Sequence, residues 1–339
     1  MKKTLLIGVV VLLFAVTGFA NQQTTQSVAE NPFLGTWTMD ISGDEKGIGW
    51  LNVHKDKGFL DAEMLWIGGS VLPVGHVFMV DDDTMVVTRT FEYKRSDERT
   101  HILTHVVRIE KDGVDGIKGV MTGPAWGKSG ETTQTFTGKR MPPMPDKPDL
   151  SQVKYGKPIK LFNGKNLDGW RIIDPNHKNG FKVVDGQLVN DPVQPKEGEH
   201  LHYGNLRTEQ EFEDFNLKLE VNVPEGNNSG VYLRGLYEIQ VVDSYGKALD
   251  PHNMGALYSR VTPSEAAEKP AGEWQTLDIT LVDRHVTVIF NGKKIIDNAP
   301  VLGPTGGAIS SDVIAPGPIY LQGDHGNVSY RNIILTPVL

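Results

Sequence analysis

The segment Trp274-Gln-Thr-Leu-Asp-Ile-Thr-Leu-Val-Asp-Arg-His-Val-Thr-Val-Ile-Phe-Asn-Gly-Lys-Lys-Ile-Ile-Asp297 decides the fold class. Leu277, Ile279 and Leu281 alternate with Thr276, Asp278 and Thr280, the period of two that turns successive side chains to opposite faces of a strand. Asn291-Gly292 then separates the candidate strands 285–290 and 293–297. Both residues tolerate a left-handed backbone, so the pair reads as a two-residue hairpin turn. Val184-Asp-Gly-Gln187 repeats the device. Outward from these hairpins, strand patterning recurs at 181–184, 187–189, 205–208, 215–223, 229–234, 237–243, 319–322 and 328–335. Only 262–269 reads as a helix, with Thr262 as N-cap, Pro263 opening the first turn and Glu265 as capping-box partner. Many short strands with so little helix predict a two-sheet jelly roll over residues 157–339.

The first half also reads as all-β. Alternation appears at 35–40, 49–54, 60–66, 75–80, 84–90, 102–109, 117–121 and 133–137, between turn clusters such as Asp81-Asp-Asp83 and Lys111-Asp-Gly113. That spacing predicts a β-barrel or sandwich over residues 33–141. Its opening Gly35-Thr-Trp37 resembles the first strand of lipocalin-type barrels, which implies either a small apolar or sugar ligand or a domain that only packs. Met141-Pro-Pro-Met-Pro-Asp-Lys-Pro148 places four prolines in eight residues. Locked φ angles and missing N–H donors make this a stiff linker, set at 142–156.

Residues 1–20 open with Lys2-Lys3, continue through a 12-residue apolar run at 5–16 and end in Gly18-Phe-Ala20. This is the pattern of a cleaved secretory signal, so the expected location is periplasmic or secreted, with 21–32 as a polar linker. The apolar run is shorter than the roughly 20 residues of a membrane span, so no transmembrane anchor is expected after cleavage. The chain has no cysteine, which removes disulfide scaffolds, thiolate metal sites, cysteine nucleophiles and a lipid anchor on cysteine. Catalytic or metal-binding groups must then be carboxylates or imidazoles. A formal charge of -8 argues against nucleic acid as a partner.

Five segments of the second half stand in register: Leu161-Phe-Asn-Gly-Lys-Asn-Leu-Asp-Gly-Trp170, Asn228-Ser-Gly-Val-Tyr-Leu-Arg234, Tyr237-Glu-Ile-Gln-Val-Val-Asp-Ser244, Gly272-Glu-Trp-Gln275, and Pro318-Ile-Tyr-Leu-Gln-Gly-Asp-His325 with Tyr330-Arg-Asn-Ile333. Together they resemble the 3-keto-disaccharide hydrolase domain family. The resemblance implies a concanavalin-like jelly roll related to glucanases and lectins. It also implies cleavage of glycosides whose sugar carries a ketone at carbon 3, so the expected partner is an oxidised oligosaccharide or glycoside. The Gly-x-Trp half lies outside it.

Residues 237–243 carry the most chemistry. On a regular strand Glu238 and Gln240 face one way, and Tyr237, Ile239 and Val241 the other. Asp243 reaches the side of Glu238 only if a β-bulge inserts one residue. The string Glu-Ile-Gln-Val-Val-Asp then resembles the Glu-x-Asp-x-x-Glu strand of laminarinase-type glycoside hydrolases. There the outer carboxylates act as nucleophile and acid/base, roughly 5 Å apart. Gln240 in the central place and the shorter Asp243 depart from that pattern. A 3-keto sugar asks for less, because its ketone acidifies the hydrogen on carbon 2. One base can start elimination of the group on carbon 1, helped by an acid at the leaving oxygen and a donor at the keto oxygen.

Glu238, Asp243 and Arg234 are therefore the expected catalytic residues. Gln240, Tyr232, Tyr258, Trp274 and Gln322 are the expected substrate-binding residues, the aromatic rings stacking on pyranose faces. Asp324-His325 pairs a carboxylate with an imidazole, which can bind a divalent metal or orient a general base. His200 and His202 either rim the cleft or face solvent. His101 and His105 lie on an expected strand, where positions four apart are about 13 Å from each other, so they form no metal pair. The expected function is an exported enzyme cleaving 3-keto-glycosides. The alternatives are a non-catalytic carbohydrate-binding protein, since one fold hosts both, and an adhesion or assembly module worked by the first half. A catalyst needs its carboxylates within reach of one pyranose, whereas a lectin needs only aromatics and amides.

Overall fold

A computed structural model describes residues 31–43, 45–94, 98–125 and 129–339. The expected signal peptide and most of the polar linker at 21–32 lie outside the described residues. Among those described, the chain is all-β, and no helix is long and apolar enough to cross a membrane.

The first nine strands are β1 (Gly35–Gly43), β2 (Gly47–Asp56), β3 (Phe59–Trp66), β4 (Gly68–Pro73), β5 (His76–Asp81), β6 (Thr84–Lys94), β7 (Thr100–Lys111), β8 (Gly116–Pro124) and β9 (Glu131–Arg140). They make one antiparallel sheet in the order β4-β3-β2-β1-β9-β8-β7-β6-β5. The first strand pairs with the last, so the free edges fall at β4 and β5, and the sheet curls until β3 approaches β5. Trp37, Met39, Leu51, Val53, Met64, Val87, Val107 and Ile109 fill its concavity. Alternation did not mark β4: Gly68-Gly-Ser-Val-Leu-Pro73 holds the residues that strands tolerate mainly at an edge, and an edge is where it lies.

The second half contributes β10 (Ile159–Lys160), β11 (Trp170–Ile172), β12 (Phe181–Val184), β13 (Gln187–Asn190), β14 (Leu206–Thr208), β15 (Phe215–Asn222), β16 (Asn228–Leu233), β17 (Tyr237–Val242), β18 (Trp274–Val282), β19 (His285–Phe290), β20 (Lys293–Pro300), β21 (Tyr320–Leu321) and β22 (Val328–Pro337). They form a two-sheet jelly roll. One sheet runs β12-β13-β22-β15-β18-β19-β20 with β10 added on β22, and the other runs β11-β14-β21-β16-β17. Leu217, Leu219, Val221, Leu277, Ile279 and Leu281 of the first sheet share a core with Val231, Leu233, Ile239 and Val241 of the second. The two sequence-marked turns take the left-handed backbone they require, with φ of 49° and 77° at Asp185-Gly186 and 48° and 81° at Asn291-Gly292.

The expected helix at 262–269 does not form; the segment is irregular. Its backbone finds partners in neighbouring strands instead. Ser264 N donates to Ile295 O at 2.8 Å, Asn291 Nδ2 to Ala267 O at 2.8 Å, and Lys269 N to Gln275 Oε1 at 2.9 Å. A helix of so few residues is marginal on its own, so these tertiary bonds prevail over the capping box.

Residues 32–339 form one compact unit. Trp50 of β2 donates from Nε1 to Leu302 O at 3.1 Å. The Arg260 guanidinium lies 4.3 Å from the Trp50 ring centroid, and Trp50, Leu65, Met141 and Val313 make an apolar cluster across the two halves. The proline run is held against the jelly roll by Arg284, which donates to Pro142 O and Pro143 O, and by Asn298, whose Nδ2 donates to Pro148 O at 2.8 Å.

Candidate active site

β17 pairs with β16 in unbroken register, setting Glu238 opposite Tyr232, Ile239 opposite Val231 and Gln240 opposite Gly230. On the other side of β16, Tyr232 stands opposite Tyr320 of β21. Strand alternation sends Val231, Ile239 and Leu321 into the core and leaves Tyr320, Tyr232 and Glu238 in a row on the opposite face. This face forms the floor of a cleft of about 270 Å3, lined also by Gln240, Tyr258, Gln322, Asn205, Asn228, Asp324, His325, Gly306 and Gly307, and by Gly68 and Gly69 from the nine-stranded sheet.

Glu238 is only 4% exposed. Its Oε2 lies 2.9 Å from the Tyr232 hydroxyl, which lies 2.7 Å from Gly306 O. A carbonyl can only accept and the hydroxyl carries one proton. Both bonds are therefore satisfied when a protonated Glu238 donates to Tyr232 and Tyr232 donates to Gly306. The electrostatics agree: burial pushes the Glu238 carboxyl up to about 8, and only the His325 charge and a Tyr232 hydroxyl turned to donate to the carboxylate would oppose it. Tyr320 stacks on Tyr232 with centroids 3.8 Å apart and donates to Gly307 O at 2.6 Å. Glu238 N donates to Thr305 Oγ1 at 2.9 Å, so residues 305–307 fix the acid and both tyrosines. Gly230 is required here, because a Cβ on it would collide with the Glu238 carboxyl.

His325 Nδ1 and Asp324 Oδ1 are 2.7 Å apart. This bond raises the imidazole above its ordinary range, against burial, with the charges of Asp324 and Glu238 adding to the rise. Burial pushes Asp324 up, but the bond to His325 and its charge outweigh that and hold the carboxyl below its ordinary range. With Nδ1 engaged, Nε2 is the nitrogen left to take a proton from a ligand. Asp324 and His325 gather no third ligand, and no group of three or more His, Asp or Glu suited to a metal occurs among the described residues. His200 and His202 pack on each other in an exposed loop, ring centroids 5.7 Å apart.

Asn228 Oδ1 and Gln322 Oε1 are buried acceptors with no hydrogen-bond partner, and both residues line the cleft. Buried polar atoms are normally paired, so two orphaned acceptors in one cleft match a ligand rich in hydroxyl donors. Gln240 turns its Oε1 to Val241 N at 2.9 Å, a bond that leaves its NH2 uncommitted.

Of the expected catalytic and substrate-binding residues and the Asp-His pair, Glu238, Gln240, Tyr232, Tyr258, Gln322, Asp324 and His325 meet in this cleft; Arg234, Asp243 and Trp274 do not. Arg234 has a left-handed φ of 56° in the β16–β17 turn, which swings its guanidinium away to Val313 O and Ala315 O. Asp243 follows the end of a strand with no bulge, and its Oδ2 accepts Gly226 N at 2.9 Å. Trp274 lies on the other sheet, opposite Asn222, with the Arg331 guanidinium 3.9 Å from its centroid. Sequence reasoning missed Asn205, Asn228, residues 305–307 and the Gly68-Gly69 pair. The paired glycines at 68–69 and 306–307 were the available signal, since glycine lets two backbones approach closely.

Residues 157–336 match the model of the 3-keto-alpha-glucoside-1,2-lyase-like domain. Among solved structures, a candidate glycosyl hydrolase of Parabacteroides distasonis is 29% identical, covering 56% of this chain and 92% of its own, with a TM-score of 0.43. A second from that organism is 26% identical over 53% of this chain and 98% of its own, with a TM-score of 0.39. A non-specific endo-beta-1,3(4)-glucanase is 11% identical over 57% of this chain and 92% of its own, with a TM-score of 0.34. No curated protein matches the chain.

Proposed function

Since the chain belongs to the 3-keto-alpha-glucoside-1,2-lyase-like domain family, a family of carbohydrate-active enzymes, we propose that it cleaves 3-keto-glycosides by elimination in this cleft. His325, oriented by Asp324, removes the proton from carbon 2 through Nε2. The C–H electron pair forms the double bond between carbons 1 and 2. The bond from carbon 1 to the glycosidic oxygen breaks, and that oxygen takes the proton held by Glu238. The products are an unsaturated 3-keto sugar and the free alcohol, and solvent then restores both protonation states. The Gln240 amide is suited to donate to the keto oxygen as negative charge develops there.

The observation that carries this reading is the pairing, in one small cleft, of a buried carboxyl held up to about 8 with a carboxylate-bound imidazole. These are a proton donor and a proton acceptor near neutrality. A retaining glycosidase would instead need two carboxylates roughly 5 Å apart, and Asp243 is engaged elsewhere. The reading places the enzyme in the periplasm or outside the cell on the strength of residues 1–20, and takes 142–156 as the joint between its halves.

Incubation with 3-keto-trehalose and with trehalose, followed by enone absorbance, tests the proposal. The keto sugar should be consumed and trehalose left intact. No action on the keto sugar would shift the reading to a carbohydrate-binding protein.

A further inference from the structure

The turn at Ile67, taken with the first residues of β4, enters the cleft from outside the family-matched segment. Gly68 and Gly69 line it beside Tyr232, Glu238 and Gly306. The turn is pinned to the jelly roll along its length. Ile67 O accepts Gly307 N at 3.1 Å, Ser70 Oγ and His252 Nε2 are 2.8 Å apart, and Val71 N donates to Ser259 Oγ at 2.9 Å. Gly306 approaches so closely that a Cβ on it would strike the backbone of Gly69. Ile67 itself has a φ of 63°, an outlier for a β-branched residue. Such strain persists where surroundings over-determine a conformation, and it clusters at ligand sites.

We propose that residues 67–70 form the end wall of the sugar cleft and restrict its ligands to short glycosides, excluding the interior of a polysaccharide chain. The inference rests on reading the cleft as a 3-keto-glycoside site. A volume of about 270 Å3 falls just below the usual range of ligand pockets, roughly 300 to 1,000 Å3. Gly68 lies outside the left-handed region, and a Cβ on it would meet no heavy atom within 4 Å. The space before it is therefore open, and a side chain placed there meets no protein. Residues 306 and 307, against which the turn rests, also receive the hydroxyls of Tyr232 and Tyr320, so the wall stands at a fixed distance from the acid.

Gly68→Ala, Gly68→Leu and Gly68→Phe, which add bulk in open space, test the wall. The readouts are kcat/KM on 3-keto-trehalose, calorimetric binding of trehalose and of maltotetraose, and Tm as the check on folding. The wild type should bind trehalose and not maltotetraose. Loss should grade with side-chain size, with Gly68→Phe losing roughly tenfold or more in kcat/KM, mostly through KM, at unchanged Tm. Unchanged kinetics and binding in folded Gly68→Phe, or tight maltotetraose binding by the wild type, would overturn the wall and leave the chemistry standing. Trehalose binding that weakens from Ala to Phe, with no turnover of the keto sugar by the wild type, would uphold the wall and reject the chemistry. No binding or turnover of any of these sugars by the wild type would reject both.

Discussion

Glu220 and Glu238 occupy the two outer faces of one sandwich and meet opposite fates. Glu220, on β15, accepts from Arg331 Nε at 2.7 Å and from Asn332 Nδ2 at 2.6 Å. Burial raises it somewhat, but the bonds of Asn332 and Arg331 prevail and hold it below the ordinary carboxylate range. Glu238 hydrogen-bonds a tyrosine hydroxyl instead of a cation, and burial pushes it up to about 8. Both faces offer aromatic rings, amides and carboxylates. What separates them is cover. The face of Glu220 and Trp274 is open to water, where a charged pair is cheap to maintain. The face of Glu238 lies under residues 305–307 and the turn at 67–70, where a carboxyl keeps its proton.

The strongest way to break this contrast is to remove each carboxyl in turn. Glu238→Gln should lower kcat on a 3-keto-glycoside by roughly 10²–10⁴-fold, while Glu220→Gln should leave it unchanged; equal effects would erase the distinction. A smaller effect is expected from Asp324→Asn. Because Asp324 raises the His325 pKa, its loss should lower kcat and move the acidic limb of the rate profile to lower pH. The basic limb, set by deprotonation of Glu238 at about 8, should move to lower pH as well but by less, because the Asp324 charge also helps to raise that carboxyl.

Thermal melts against pH sharpen the comparison further. The folded pKa of Glu238 lies above its unfolded value of 4.5, so its contribution is present below that value and is lost as pH rises through about 8. The loss is on the order of a few kcal/mol, and Glu238→Gln should abolish it. Glu220 is depressed, so its contribution is present above the ordinary carboxylate range and falls away as pH drops. The smallest effect belongs to Trp274→Ala, which should cost about 0.5–1 kcal/mol from the lost Arg331 contact and nothing in turnover. A large loss of turnover would make the open face a second ligand surface.

Strand parity was legible at 237–242, because alternation alone separates Glu238 and Gln240 from Ile239 and Val241. The Asp-Gly and Asn-Gly turns were legible for the same local reason. Arg234 was not legible. Only its left-handed backbone removes it from the face of Tyr232, and arginine carries no turn signal. Asp283-Arg284 hides the same device, with φ of 47° and 55° in a hairpin without glycine. The cleft wall was beyond local reading altogether: Ser70 meets His252 across 182 positions, and no periodicity encodes such a meeting. The helix expected at 262–269 failed likewise, since its competing partners, Asn291 and Ile295, lie a strand away.

The packing of Arg260 on Trp50 sets a condition on how the protein can be divided. Arg260 is part-buried, enough for desolvation to bring its guanidinium down to about 10, and one side of its surroundings is an indole from the other half of the chain. A cut at the proline run would strip away this shelf and take residues 67–70 with it. The socket of the sandwich would become an open trough. The first half is thus a missing side of the vessel and not a passenger, and a chain carrying the second half alone would need another way to close the end.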